Sequence, residues 1–171
     1  MDELERLVDE YRVRASSSVA SKLDVLLDLE RIRDPRVVPF LLGVLGNGHE
    51  AERVRIHVLK RLRNGDGLVA AADRPQVATT ILGVLADNSM TELRLEAALA
   101  LGVYTDIGRV LSILCNLAVA DEESIDLRYA AFTSIERAGP TSEAIAFMRQ
   151  IAGDETLGNS ARRILSAWHV E

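Results

Sequence analysis

Three histidines and one cysteine are the side chains of this sequence best suited to metal or nucleophile chemistry. His49 and His57 are eight residues apart, His169 is remote from both, and Cys115 closes the apolar run Val110-Leu111-Ser112-Ile113-Leu114. A zinc centre needs three or four ligands converging, normally at short spacings. No such spacing occurs. A catalytic cysteine needs a neighbouring base to form its thiolate, and Cys115 among apolar residues reads instead as a small buried hydrophobe. Glu122-Glu123 could do acid–base work only in a desolvated cleft; in a turn the pair reads as solvated, or as leading into a helix at its positive end. Gly46-Asn47-Gly48 and Gly65-Asp66-Gly67 fit neither a dinucleotide fingerprint nor a phosphate loop and read as turns between helices. The expectation is no catalytic residue, no metal site and no cofactor.

Chemistry being absent from these groups, the elements around them carry the information. The chain has 171 residues, 48% hydrophobic and 27% charged, the composition of one globular domain over 1–171. Aromatic residues are only 4%, which suits helix-on-helix packing better than a sheet. The net charge of −6 gives no general attraction to phosphate backbones or anionic lipid, so nucleic acid is a disfavoured partner. No apolar run approaches the roughly 18 residues of a membrane span, and no basic-then-apolar leader opens the sequence. Those features lead to the expectation of a cytoplasmic protein that meets no membrane.

Helical periodicity runs throughout. Leu4, Leu7, Val8 and Tyr11 make the first i, i+3, i+4, i+7 stripe. After Ser16-Ser17-Ser18 a second helix continues through Leu23 to Ile32, and Asp34-Pro35 reads as an N-cap and first-turn proline for a helix over Val37–Leu45. Further helices are predicted near 50–63, 75–87, 91–102, 107–119, 125–138, 141–152 and 158–169. Ser89 and Glu92 have capping-box spacing. No segment alternates as a strand does.

The segments starting at Pro35 and Pro75 match in sequence and hydrophobic phase, 40 residues apart. The helices that follow begin with an apolar–cation pair: Val54-Arg55, Leu93-Arg94, Leu127-Arg128 and Ala161-Arg162. These arginines are spaced by 39, 34 and 34 residues, and stepping back 33 reaches Lys22. Three and seven residues after each cation the side chain is apolar, until Leu165 is followed by His169. A fixed period of this length signals stacked two-helix repeats. The approximate pairs are 2–32, 35–63, 75–102, 107–138 and 141–169, with an insertion at 65–73.

An apolar–Arg pair opening a second helix after an acidic turn (Asp87, Asp121) resembles the HEAT repeat family, as does Pro39 within a first helix. The resemblance is nearest to the short bacterial HEAT-like repeats, which also occur in phycobilin lyase subunits, and it covers residues 2–169. Gly48 replaces the acidic residue of that turn, and only one repeat carries the proline. The resemblance implies an all-α fold, an α-solenoid of about five antiparallel helix pairs. It also implies that Lys22, Arg55, Arg94, Arg128 and Arg162 form an internal ladder with acidic residues of neighbouring turns. On a helical wheel these cations share the arc of the apolar positions, where a charge must be paired.

The other side of each second helix would line a concave face carrying Arg53, His57, Lys60, Glu92, Glu96, Leu99, Asp126 and Thr133. Its mixed charge points to a protein or peptide partner and a non-catalytic scaffold. The alternatives implied by the resemblance are a phycobilin lyase-like or chaperone subunit and a HEAT-like DNA glycosylase, the latter requiring a basic surface.

Overall fold

The computed structural model describes residues 1–13, 18–64 and 67–170. These form ten α-helices and no strand. In chain order they are α1 (Glu3–Val13), α2 (Val19–Arg31), α3 (Val37–Gly46), α4 (Glu52–Asn64), α5 (Arg74–Ala86), α6 (Thr91–Ala100), α7 (Val110–Ala118), α8 (Ile125–Arg137), α9 (Ser142–Gln150) and α10 (Gly158–Ala167). Short 3-10 turns at Ala71–Asp73 and Leu101–Val103 lead into α5 and out of α6.

Local chemistry sets several boundaries. Ser18, Ser124 and Thr141 cap α2, α8 and α9, each accepting from an N–H in the helix's first turn. Two predicted caps are replaced by turns, although the helices start where expected. Asp34 accepts from the Arg36 N–H and its guanidinium, which holds Asp34-Pro35-Arg36 as a turn, so Asp34 does not cap α3, whose N-cap is Arg36. The Ser89 hydroxyl donates to Asp87 rather than capping α6, so the expected capping box is replaced by an Asx-type turn. The serine break at Ser16 and Ser17 and the Gly65-Asp66 part of the insertion lie outside the described residues. Within the insertion Gly67 adopts a positive φ of 77°, a conformation open to glycine at little cost.

The chain packs as two compact units, Met1–Ala97 and Ala98–Glu171, with α6 spanning the boundary. In the first, α1 packs on α2, α2 on α4, and α3 on both α4 and α5. Leu26, Leu29, Leu41, Leu45, Leu59 and Ile81 are fully buried there. Each contributes about 1.5–3 kcal/mol relative to exposure. In the second unit α7 packs on α8 and α9, and α9 on α10, around Leu101, Leu114, Ile135, Met148 and Leu157. Helices also approach closely there: buried Ser134 of α8 donates its hydroxyl to the Ala98 carbonyl at 2.6 Å, where Gly102 leaves the space.

The end of α10 closes as a Schellman motif. Val170 N–H reaches the Leu165 carbonyl and His169 N–H that of Ser166, with His169 at φ 55°. A side chain costs energy in that left-handed conformation. His169→Gly is therefore expected to stabilise the protein by up to about 1 kcal/mol, read as a rise in Tm of about 2–4 °C. An unchanged or lower Tm would remove the strain argument.

Candidate functional site

The phased arginines each donate to a backbone carbonyl. Arg55 Nε donates to the Leu45 carbonyl at 2.8 Å, Arg94 Nε to Leu85 at 2.8 Å and Arg128 Nε to Ala118 at 2.9 Å. Arg162 donates through a terminal nitrogen to the Ala152 carbonyl. Leu45, Leu85 and Ala118 sit at the C-terminal end of the preceding helix and Ala152 two residues past the end of α9, each nine or ten residues before its arginine. Those carbonyls lack an intrahelical donor and carry the negative end of the helix dipole. A guanidinium answers both needs. The recurring partner is thus a backbone carbonyl, whereas acidic side chains contribute from further away: Arg128 lies 3.8 Å from Asp121. Asp87 is held below its ordinary pKa by the Ser89 hydroxyl and N–H, with smaller contributions from Arg55 and Arg94.

At the fourth such joint, the backbone leaves no room. A Cβ on Gly158 would lie 2.7 Å from the Ala152 oxygen, the acceptor of Arg162. Gly158→Ala is expected to cost about 1–3 kcal/mol in urea unfolding, the penalty of overpacking a tight contact. A neutral result would mean that the α9–α10 joint yields freely.

Lys22, the first member of the series, does something different. Its ammonium donates to Glu50 Oε1 at 2.7 Å, and Tyr11 donates to Glu50 Oε2 at 2.5 Å. Ala51 N–H adds a third bond to the carboxylate, at 2.8 Å. Lys22 also lies 5.5 Å above the Tyr11 ring, which packs edge-on against Phe40. Burial pushes the Tyr11 hydroxyl well above its ordinary pKa, and Glu50 reinforces the shift. Burial opposes ionisation of Glu50 too, yet Lys22, then Tyr11 and Ala51, outweigh it and hold its pKa below the usual value. With Glu50 side-chain exposure at 5%, a ligand has no access. The trio is a polar tie among α1, α2 and the turn that leads into α4.

The cluster that does reach solvent is built on α2 and α4. His57 and Arg61, one turn apart on α4, both lie against Glu30 of α2: His57 Nε2 hydrogen-bonds Oε1 at 2.7 Å, and Arg61 pairs by charge with Oε2, its Nε 2.8 Å away and making no hydrogen bond. Glu30 is 3% exposed and Arg61 39%. Arg61 borders a cleft of about 490 Å³ that runs along Glu30–Pro35 and the stretch from Gly67 to Asp73. Arg31 and Arg33 also line it, while Asp34 there is neutralised by Arg36, which holds its pKa at about 2.

The concave-face residues named from sequence fall in both units. Arg53 and Lys60 are exposed on α4, and His57 is half-buried against Glu30. Lys60 lies 3.9 Å from Glu96, which Arg63 approaches at 3.8 Å. Glu92 is exposed. Leu99, Asp126 and Thr133 belong to the second unit, Leu99 half-buried and the other two exposed. Glu30, Arg61 and Arg63 were not predicted. Arg61 carried a signal, four residues after His57 on the same helical face; Glu30 carried none, since its partners lie 27 residues or more away.

Among the described residues no group of three or more His, Cys, Asp or Glu side chains could hold a metal ion. The Cys115 thiol is pushed up to about 11 by burial, with Glu143 adding to the shift. It is protonated at neutral pH and a poor nucleophile. No helix of the described residues is long and apolar enough to cross a membrane. Neither protein-family models nor curated proteins give a match to this chain.

Proposed function

We propose that the chain is a HEAT-like α-solenoid acting as a non-catalytic scaffold that binds a protein or peptide along the exposed side of its second helices. The observation that carries this reading is the arginine joint, repeated at α3–α4, α5–α6, α7–α8 and α9–α10. An arginine-to-carbonyl contact recurring at the same place, through Nε in three joints and a terminal nitrogen in the fourth, is what a stack of equivalent units requires, since each repeat must meet its neighbour in a similar way. Contacts of α2 with α4, α3 with α5 and α7 with α9 are of the kind that stacking produces. The joints occupy the cations on the apolar side. That leaves Arg53, His57, Lys60, Glu92 and Glu96 to face a partner, and solenoids use such extended surfaces for binding.

Affinity capture from the native host tests the reading. A defined protein partner, retained by the wild type and lost when Arg53 and Lys60 are changed to Glu, is the expected result. Binding of a bilin in a spectroscopic titration, or salt-sensitive binding of duplex DNA at moderate ionic strength, would overturn it in favour of a lyase-like or DNA-directed role.

A further inference from the structure

The turn between α3 and α4 holds an Asn-Gly pair where the next joint holds Asp. Asn47 ends α3 with φ −79° and ψ 104°, and Asp87 ends α5 with φ −81° and ψ 105°. Both backbone N–H groups donate to the carbonyl three residues back, Val44 in one case and Val84 in the other. Both side chains also accept, through Oδ1, from the N–H two residues on: His49 at 3.0 Å and Ser89 at 3.0 Å. Asp154 accepts from the Thr156 N–H in the same way, at 2.8 Å, and stands eight residues before Arg162 as Asn47 does before Arg55. The three joints share a turn, with an amide at the first and carboxylates at the others.

We propose that Asn47 is a deamidation site, converted spontaneously to aspartate and isoaspartate. The Gly48 nitrogen attacks Asn47 Cγ. An N–Cγ bond forms, the Cγ–Nδ2 bond breaks, and ammonia leaves with the proton given up by Gly48. Water then opens the succinimide: at Cγ it yields aspartate, and at the backbone carbonyl carbon it yields isoaspartate, whose chain runs through Cβ and Cγ. Four features of the turn favour the first step. Asn47 and Gly48 are both exposed. The Gly48 N–H has no acceptor among the described residues. Gly48 presents no Cβ to hinder its nitrogen. The His49 N–H already donates to Oδ1, the oxygen on which negative charge develops as Cγ becomes tetrahedral. Asn88 is the contrast, because its attacking nitrogen belongs to Ser89, which carries a side chain and donates to Asp87. The two products differ in consequence. Aspartate keeps the turn, since Asp87 holds the same backbone conformation. Isoaspartate displaces the carbonyl that accepts from the Glu50 N–H, and Glu50 is the acceptor of Lys22 and Tyr11.

The test is incubation of the folded protein at mildly alkaline pH, followed by peptide mass mapping with fragment-level localisation. Asn47 is expected to gain the mass of amide-to-acid conversion about tenfold faster than Asn88. Asn64, the other asparagine followed by glycine, is read separately in the same map. Folding ordinarily protects an amide, but here the native turn leaves the reaction open. Asn47 in the folded protein should therefore convert within about threefold of its rate in urea, or faster. Gly48→Ala places a Cβ where nothing lies within 4 Å, so the variant should fold normally. It should slow conversion about tenfold by crowding the attacking nitrogen. An isoaspartate-specific methyltransferase should label the Asn47 peptide of aged wild type and leave that of aged Gly48→Ala unlabelled. Asn47→Asp should keep the wild-type Tm, whereas aged wild type should melt about 2–4 °C below Gly48→Ala aged in parallel. Protection of Asn47 by more than about threefold on folding, conversion no faster than at Asn88, or an unchanged rate in Gly48→Ala overturns the site. Equal Tm values for the two aged proteins overturn the consequence drawn for Glu50.

Discussion

Replacing Glu50 by Ala is expected to destabilise the protein by about 3–5 kcal/mol, because it strands a buried ammonium. Lys22 is 10% exposed along its side chain and its partner oxygen is 2.7 Å away. Removing that oxygen leaves the charge without its partner and takes the acceptor from the Tyr11 hydroxyl as well. Chemical denaturation monitored by helical circular dichroism would read the change. A comparison variant separates the charge from the packing. Changing Lys22 to Met and Glu50 to Leu together should recover a substantial part of the loss, since an apolar pair of similar volume often replaces a buried ion pair at little cost. If Glu50→Ala costs under about 1 kcal/mol, solvent reaches the trio.

The same trio sets a pH dependence on both sides of neutrality. Glu50 has a lowered pKa in the folded protein, so its contribution is present above the ordinary carboxylate pKa and is lost as pH falls through the folded value. Tyr11 has a raised pKa, so its contribution is complete below about 10, the ordinary phenol value, and declines as pH rises beyond it. Phe in place of Tyr11 should reduce the alkaline decline, leaving the part due to the raised Cys115 thiol, and should leave the acid one.

Arg55→Met should cost about 2–3 kcal/mol and Arg162→Met far less. Both arginines answer the same need at a helix C-terminus, but Arg55 is 3% exposed and Arg162 is exposed. Without Arg55 the Leu45 carbonyl is left buried and unsatisfied, whereas water replaces Arg162 at Ala152. Arg94 and Arg128, half-buried, should fall between. The order of the four midpoints in urea checks the argument. Equal losses at Arg55 and Arg162 would mean that the contact with the carbonyl carries no energy of its own. Arg55→Lys keeps the charge but lacks the Nε–H that meets Leu45, and should recover less than half of the loss.

What the sequence determined by itself is local or periodic. Leu4, Leu7 and Tyr11 named the buried stripe of α1, and the ten helical segments followed from the same spacing with ends displaced by a few residues. The caps depend on local contacts that pattern reading misses. Asp34 bonds to Arg36 and Ser89 to Asp87, so two turns persist where caps were expected. The phase of Lys22, Arg55, Arg94, Arg128 and Arg162 was also legible, because a repeat writes its period into one dimension.

What those cations touch was decided only by the tertiary structure. Arg55 sits at the same register as Lys22, yet one meets the carbonyl of Leu45 and the other the carboxylate of Glu50. Register fixes the side of the helix, and the choice between carbonyl and carboxylate depends on what the neighbouring helix presents there. The Glu30–His57–Arg61 cluster illustrates the limit most clearly. His57 and Arg61 are joined by helical spacing, but Glu30 comes from another helix with no motif to announce it. Periodicity specifies which faces turn inward; the pairing of individual polar atoms arises when two faces meet, and a single sequence holds no record of that meeting.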